Sequence, residues 1–208
     1  MNYEEMKNIV LIVDPQNDFI TGTLPVEGAE ERMKKLAEYI KARHIEYDYI
    51  LMTLDSHPTN HSSFKDNGGI WPEHCVSFTD GWELPGYLND AINHTYGCGT
   101  AAYHKGDIVD KEEYSIFDNE EDGFVLANQL RELVEEGEIY VDICGIAGDY
   151  CVLETLKGLR RLVPDECISI LFDFTASIDG GEKLLAYARE NQINIIEDSS
   201  INLTEYVR

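Results

Sequence analysis

"EIYVDICGIAGDYCVLETLKGLRRL", residues 138–162, decides how the chain folds. Its first part, 138–145, is an apolar run of the kind that forms a strand buried on both faces. A short turn follows, and 151–162 reads as a helix. Cys151 stands where the loop enters that helix. First-turn N–H groups have no acceptor within a helix and carry partial positive charge. A thiol there is expected to titrate below the free value of about 8.5 and to act as a nucleophile. The same N–H groups can stabilise an oxyanion on an attacked carbonyl. The competing reading is an inert buried cysteine. It suits Cys144 and Cys167, which fall in strands; Cys98 reads as a loop thiol without a role.

The same alternation runs outward in both directions. Strands are expected at 8–14, 47–55, 100–105, 167–173 and 193–198, besides 138–145. Helices are expected at 28–43, 125–137 and 181–191, besides 151–162. Strands alternating with helices imply a parallel sheet covered on both faces, an α/β protein. A single domain spanning 1–208 fits the length. The stretch 56–99, rich in Gly, Pro, Asn and His, reads as one long irregular segment, and such loops are usually functional. In an open parallel sheet, ligands sit beyond the carboxyl ends of the strands. Asp14, Asp55 and Lys105 end three of the strands and Cys151 opens a helix, so four reactive side chains share one rim. A cation at Lys105 would favour thiolate. A carboxylate at Asp14 could take the thiol proton and pass it to a leaving amine. Taken singly, each is a surface or capping residue, and Asp14 before Pro15 could simply start a turn.

"TLDSHPTNHSSF", 53–64, raises a second chemistry. In extended chain, residues i and i+2 point the same way, so Asp55 and His57 can aim at one point. "GIWPEHC", 69–75, adds His74 from the same long loop. One Asp and two His would hold a metal and leave positions open for water or substrate. The alternative is a polar loop whose histidines do nothing.

Net charge is −24, from 40 acidic and 16 basic residues. Such a surface repels phosphate backbones and excludes nucleic acid as a natural partner. A composition 43% hydrophobic and 10% aromatic is that of a folded chain. No basic amphipathic stretch suggests a membrane surface, and no run approaches the roughly 20 apolar residues needed to span one. The polar start "MNYEEMKN" does not read as a signal peptide, and five cysteines without a CxxC pair suit a reducing cytoplasm.

Five stretches occur in the order of a known family: "DPQNDF" (14–19), "DSHPTNHSSF" (55–64), "WPEHC" (71–75), "KG" (105–106) with "YSIF" (114–117), and "GIAGDYCV" (145–152). The chain resembles the nicotinamidase/pyrazinamidase branch of the isochorismatase-like cysteine hydrolases. The resemblance implies a three-layer α/β/α fold with a six-stranded, mainly parallel sheet in the order 3-2-1-4-5-6. It implies a catalytic triad of Asp14, Lys105 and Cys151. It also implies an oxyanion hole from the Ala147 and Cys151 N–H groups, next to a cis peptide between Ile146 and Ala147. Phe19, Leu24 and Trp71 resemble residues that line a ring pocket; plain packing is the alternative, chiefly for Leu24. Asp55, His57 and His74 resemble ligands of one divalent metal ion, zinc first, then iron or manganese, with His61 a further candidate. The implied activity is hydrolysis of nicotinamide to nicotinate and ammonia, and of pyrazinamide, for NAD salvage. The implied partner is a small-molecule amide, and a homo-oligomer is allowed. The rivals are another small-amide hydrolase of the superfamily, ureido- or maleamate-type, and a non-catalytic binding protein on this fold. The chain departs from the family at Ser56, where an aromatic is common, and at Gly148, where Thr or larger is common. The segment "DIVDKEEYSIFDNEEDG", 107–123, is also unusually acidic.

Overall fold

A computed structural model describes residues 6–137 and 139–197. Glu138 and Asp198, the expected first and last residues of two strands, and the polar start up to Glu5 lie outside them. Six strands form one sheet: β1 (Lys7–Val13), β2 (Tyr49–Asp55), β3 (Gly99–Lys105), β4 (Ile139–Ile146), β5 (Ile168–Ala176) and β6 (Asn194–Ile196). Their order is β3-β2-β1-β4-β5-β6 and every pairing is parallel. The helices are α1 (Asn17–Ile20), α2 (Ala29–Arg43), α3 (Gly86–Asn93), α4 (Asp122–Glu136), α5 (Cys151–Leu159) and α6 (Glu182–Glu190).

Side-chain alternation on the central strands builds three layers. Ile9, Leu11 and Val13 of β1 pack on one side with Leu130 of α4, Leu156 of α5 and Leu184 of α6. Val10 and Ile12 point the other way and pack with Met33, Leu36 and Ile40 of α2 and Leu88 of α3. β4 divides likewise, Val141 and Ile143 to the first side, Cys144 and Ile146 to the second. A strand buried on both faces needs apolar residues at consecutive positions, which is why these read as unbroken runs.

Two expectations need correction. The stretch 56–99 is not irregular throughout, because α3 lies inside it. Gly, Asn and Asp give that segment little helix propensity. What holds it is a stripe of Leu88, Ala91 and Ile92, all buried. The helix expected over 151–162 stops at Leu159. Pro164 follows, and the residue before a proline avoids helical backbone.

The sheet changes direction between β1 and β4, where a crevice opens at the strands' carboxyl ends. Gly145 sits there beside Val13 with φ +125°, a backbone that disfavours any residue with a Cβ. A Cβ on Gly145 would lie 2.0 Å from the Val13 carbonyl oxygen. Gly145→Ala is therefore expected to cost at least about 2 kcal/mol, from backbone strain and the pushing apart of two central strands. Denaturant unfolding checks this, and a loss under about 0.5 kcal/mol would mean that the strands are not held this closely.

Candidate active site

Three strand ends and one helix start converge on a buried cluster. Lys105, the last residue of β3, is fully buried and its Nζ lies 2.8 Å from Asp14 Oδ2. The same ammonium pairs with Asp55 Oδ1 and donates to Cys151 Sγ at 3.7 Å. Asp14 leaves β1 with φ +46° and accepts from the Thr53 hydroxyl at 2.7 Å. Aspartate tolerates that left-handed backbone better than most residues. Cys151 is the first residue of α5, so its N–H has no acceptor within the helix. The Ile146–Ala147 peptide is cis, and Ala147 lines the same pocket as Cys151.

The electrostatics differ from the sequence expectation. Burial pushes the Cys151 thiol well above its ordinary value, Asp14 and Asp55 push the same way, and Lys105 only partly offsets them. The thiol's hydrogen bond to Asp14 also holds the proton on sulfur. Burial likewise raises the Asp14 carboxyl, against the pull of Lys105, which makes it a better proton acceptor. Burial thus favours the protonated thiol and makes the neighbouring carboxyl readier to take a proton. At Cys151 the cost of taking charge out of water outweighs the favourable helix terminus.

The second group adjoins the first. Donor atoms of Asp55, His57 and His74 lie within 4.8 Å of one another, and all three residues are buried. His57 Nδ1 donates to the Gly106 carbonyl at 2.8 Å, and His74 Nδ1 donates to the Pro72 carbonyl at 2.8 Å. A carbonyl can only accept, so in both rings Nδ1 carries a proton, and each neutral ring then presents a lone pair on Nε2; burial favours the neutral form of His74, while the Asp55 charge raises His57. His57 Nε2 is buried without a hydrogen-bond partner and lies 3.5 Å from Asp55 Oδ2. Two aimed lone pairs beside a carboxylate fit a divalent cation, and carbonyl-held imidazoles are the usual support for one. His61 differs. Its Nε2 meets the Lys111 carbonyl at 3.0 Å and its Nδ1 the Ser63 hydroxyl at 2.7 Å, so both nitrogens have protein partners.

Above the clusters lies a pocket lined by Phe19, Leu24 and Trp71, with Tyr114, Tyr150, Glu112 and Ile178. Trp71 packs edge-on against Tyr150 at 5.2 Å and donates through Nε1 to the Tyr114 hydroxyl at 3.1 Å. Asp55, His74, Ala147 and Cys151 also line this pocket.

The isochorismatase domain family matches residues 8–162. The chain is 33% identical over 184 residues to the nicotinamidase/pyrazinamidase of Mycobacterium tuberculosis, covering 85% of this chain and 90% of that protein. The chain belongs to the isochorismatase family. Among solved structures it is similar to the pyrazinamidase of Pyrococcus horikoshii in complex with zinc. That likeness has a TM-score of 0.74 and 32% identity, covering 92% of this chain and 99% of the other. It is also similar to the yeast nicotinamidase bound to the inhibitor nicotinaldehyde, with a TM-score of 0.76 and 25% identity over 92% of this chain and all of that one.

The sequence reading passes over several residues of this isochorismatase-family site. Gln16 stands within "DPQNDF"; its amide accepts from the Asp55 N–H and donates to the Asp55 carbonyl, each at 2.8 Å. Asp18, in the same motif, accepts from the Cys75 N–H at 2.7 Å and the Thr23 N–H at 3.0 Å. It thereby fixes the loops that carry His74 and Leu24. Tyr150 precedes Cys151 and could have been found by that adjacency. Glu112 had only its place in the acidic segment as a signal. Its carboxyl is raised, by burial first and then by the Asp55 charge.

Two outcomes follow from this geometry. Lys105→Met removes the cation that opposes burial of the thiol, so the Cys151 pKa should climb further. The rate of iodoacetamide alkylation against pH reads this, and an unchanged or lower midpoint in a folded variant would separate the lysine from the thiol. His57→Ala should strip a divalent ion from protein purified without chelator, while His61→Ala should retain most of it. Elemental analysis decides, and full metal content in His57→Ala would leave the Asp55 group an ordinary polar cluster.

Proposed function

We propose that this chain is a nicotinamidase that hydrolyses nicotinamide to nicotinate and ammonia, and pyrazinamide likewise, through a cysteine thioester. The observation that carries the reading is one buried cluster in which Cys151, Asp14 and Lys105 adjoin Asp55, His57 and His74, with Cys151, Asp55 and His74 opening onto an aromatic-lined pocket. Its relatives' names agree, since the proteins of M. tuberculosis and yeast are nicotinamidases.

The steps follow from the charges at rest. Asp14 takes the proton from Cys151 Sγ as the sulfur attacks the carboxamide carbon. The oxyanion that forms is met by the N–H groups of Ala147 and Cys151, donors already oriented before charge develops. Asp14 then gives its proton to the amide nitrogen, the C–N bond breaks, and ammonia leaves. A water enters, Asp14 takes its proton, and hydroxide attacks the thioester. Collapse expels the sulfur, which recovers the proton from Asp14, and frees nicotinic acid, which gives its proton to the released ammonia and becomes nicotinate. Lys105 stays charged throughout and holds Asp14 in line with the sulfur. Asp55, His57 and His74 would hold a divalent ion, zinc first among candidates, which would supply a Lewis acid for the pyridine nitrogen. Phe19 and Trp71 pack the ring faces, and Leu24 closes the wall.

A ureido- or maleamate-type substrate would bring a carboxylate to this pocket. It would meet Asp55 and Glu112, with no arginine or lysine among the lining residues. A neutral heteroaromatic amide fits better. On this reading the chain is one hydrolase domain serving NAD salvage in the cytoplasm; among the described residues no helix is long and apolar enough to cross a membrane.

The test is ammonia release from nicotinamide, pyrazinamide and aliphatic amides, with and without chelator. Nicotinamide and pyrazinamide should be turned over, aliphatic amides poorly, and chelator should suppress the reaction. Folded Cys151→Ala should lose several orders of magnitude, on the order of 10⁶ where a comparable triad lost its nucleophile. Near-wild-type turnover by that variant would remove the covalent route.

A further inference from the structure

The acidic segment 107–123 contains a carboxylate that the reaction does not use. Glu113 is 1% exposed, although it belongs to this highly charged segment. Its Oε2 accepts from the Gly106 N–H at 2.8 Å and from Asn119 Nδ2 at 3.0 Å, and its Oε1 lies 2.8 Å from Lys111 Nζ. Gly106 is the residue through which both clusters are held. The peptide joining it to Lys105 is gripped at each end, by Ser56 N–H on the Lys105 carbonyl at 2.8 Å and by Glu113 on the Gly106 N–H. Its own carbonyl accepts from His57 Nδ1. Gly106 has φ +76°, and a Cβ there would lie 2.4 Å from His57 Cε1 and 2.6 Å from Nδ1. Backbone and imidazole therefore touch with no space between them, and a shift of Gly106 moves the ring.

We infer that Glu113 is a positioning residue that, through Gly106, sets the His57 imidazole and the Lys105 ammonium for their separate tasks. The inference rests on the reading of Asp55, His57 and His74 as metal ligands. An acceptor is what the Gly106 N–H needs, because a buried N–H left unpaired loses its hydration without replacement and the chain would turn to relieve it. A turn of Gly106 carries its carbonyl off His57 Nδ1. Loss of such a support typically costs 10–100-fold in metal affinity or activity.

The experiment uses the zinc-loaded full chain and measures zinc transfer to a chelator, alongside kcat and KM for ammonia release from nicotinamide. Glu113→Ala is expected to lose zinc about 10–100-fold faster, with kcat reduced as well as KM raised, at temperatures far below its unfolding. Glu113→Gln keeps an oxygen for Gly106 and is expected to restore most of both. Wild-type zinc loss from folded Glu113→Ala, or equal loss from Glu113→Gln and Glu113→Ala, overturns the inference. If Glu113→Ala does not fold, Gly106→Ala takes its place, and wild-type zinc loss from that folded variant overturns the inference too. His57→Ala is the reference: if it holds zinc as wild type does, the ligand reading itself has failed, not the role of Glu113.

Discussion

A lysine ammonium with no access to water holds the site together. Lys105, Asp55 and Asp14 end three adjacent strands, β3, β2 and β1, and Asp55 stands in register with Lys105. Burying one cation costs several kcal/mol, and only close carboxylates with good geometry repay it. Two carboxylates on one cation give the cluster a net negative charge. Burial first, and then these two carboxylates, raise the neighbouring thiol although a lysine lies beside it. The field in this crevice is set by burial first and by the count of charges second.

Asp55 belongs to both clusters. One oxygen takes the Lys105 ammonium and the other faces His57 and His74. The Cys151–Asp14–Lys105 group and the Asp55–His57–His74 group are therefore coupled through one side chain. Gln16 fixes that side chain's backbone from both its N–H and its carbonyl. The thiol chemistry and the ligand geometry cannot be adjusted independently, since any movement of Asp55 is felt by both.

Much of this was legible in the residues. Buried parallel strands need unbroken apolar runs, so β1 and β4 stood out, and with them the carboxyl-end rim that collects Asp14, Asp55 and Lys105. The i, i+2 spacing of Asp55 and His57 carried real directional information. Other features left little trace. The eight-residue α3 is held by Leu88 and Ile92 packing across the fold, which outweighs its poor local propensity. His61 has the same residue type as His57 and a place in the same motif; what separates them is the Lys111 carbonyl, 50 positions away in sequence. The direction of the Cys151 shift depends on desolvation, a property of the assembled crevice and not of any local motif.

β3 is the outer strand on its side of the sheet, and its first residues, Gly99 and Thr100, are exposed while its last, Lys105, is buried. An outer strand is the part of a sheet most prone to fray or to recruit a foreign chain. Here the free edge is riveted at its far end by the ion pairs of Lys105 with Asp14 and Asp55. A lineage that discarded that lysine would also unfasten its sheet margin, so a changed crevice and exposure to aggregation would arrive as a single event.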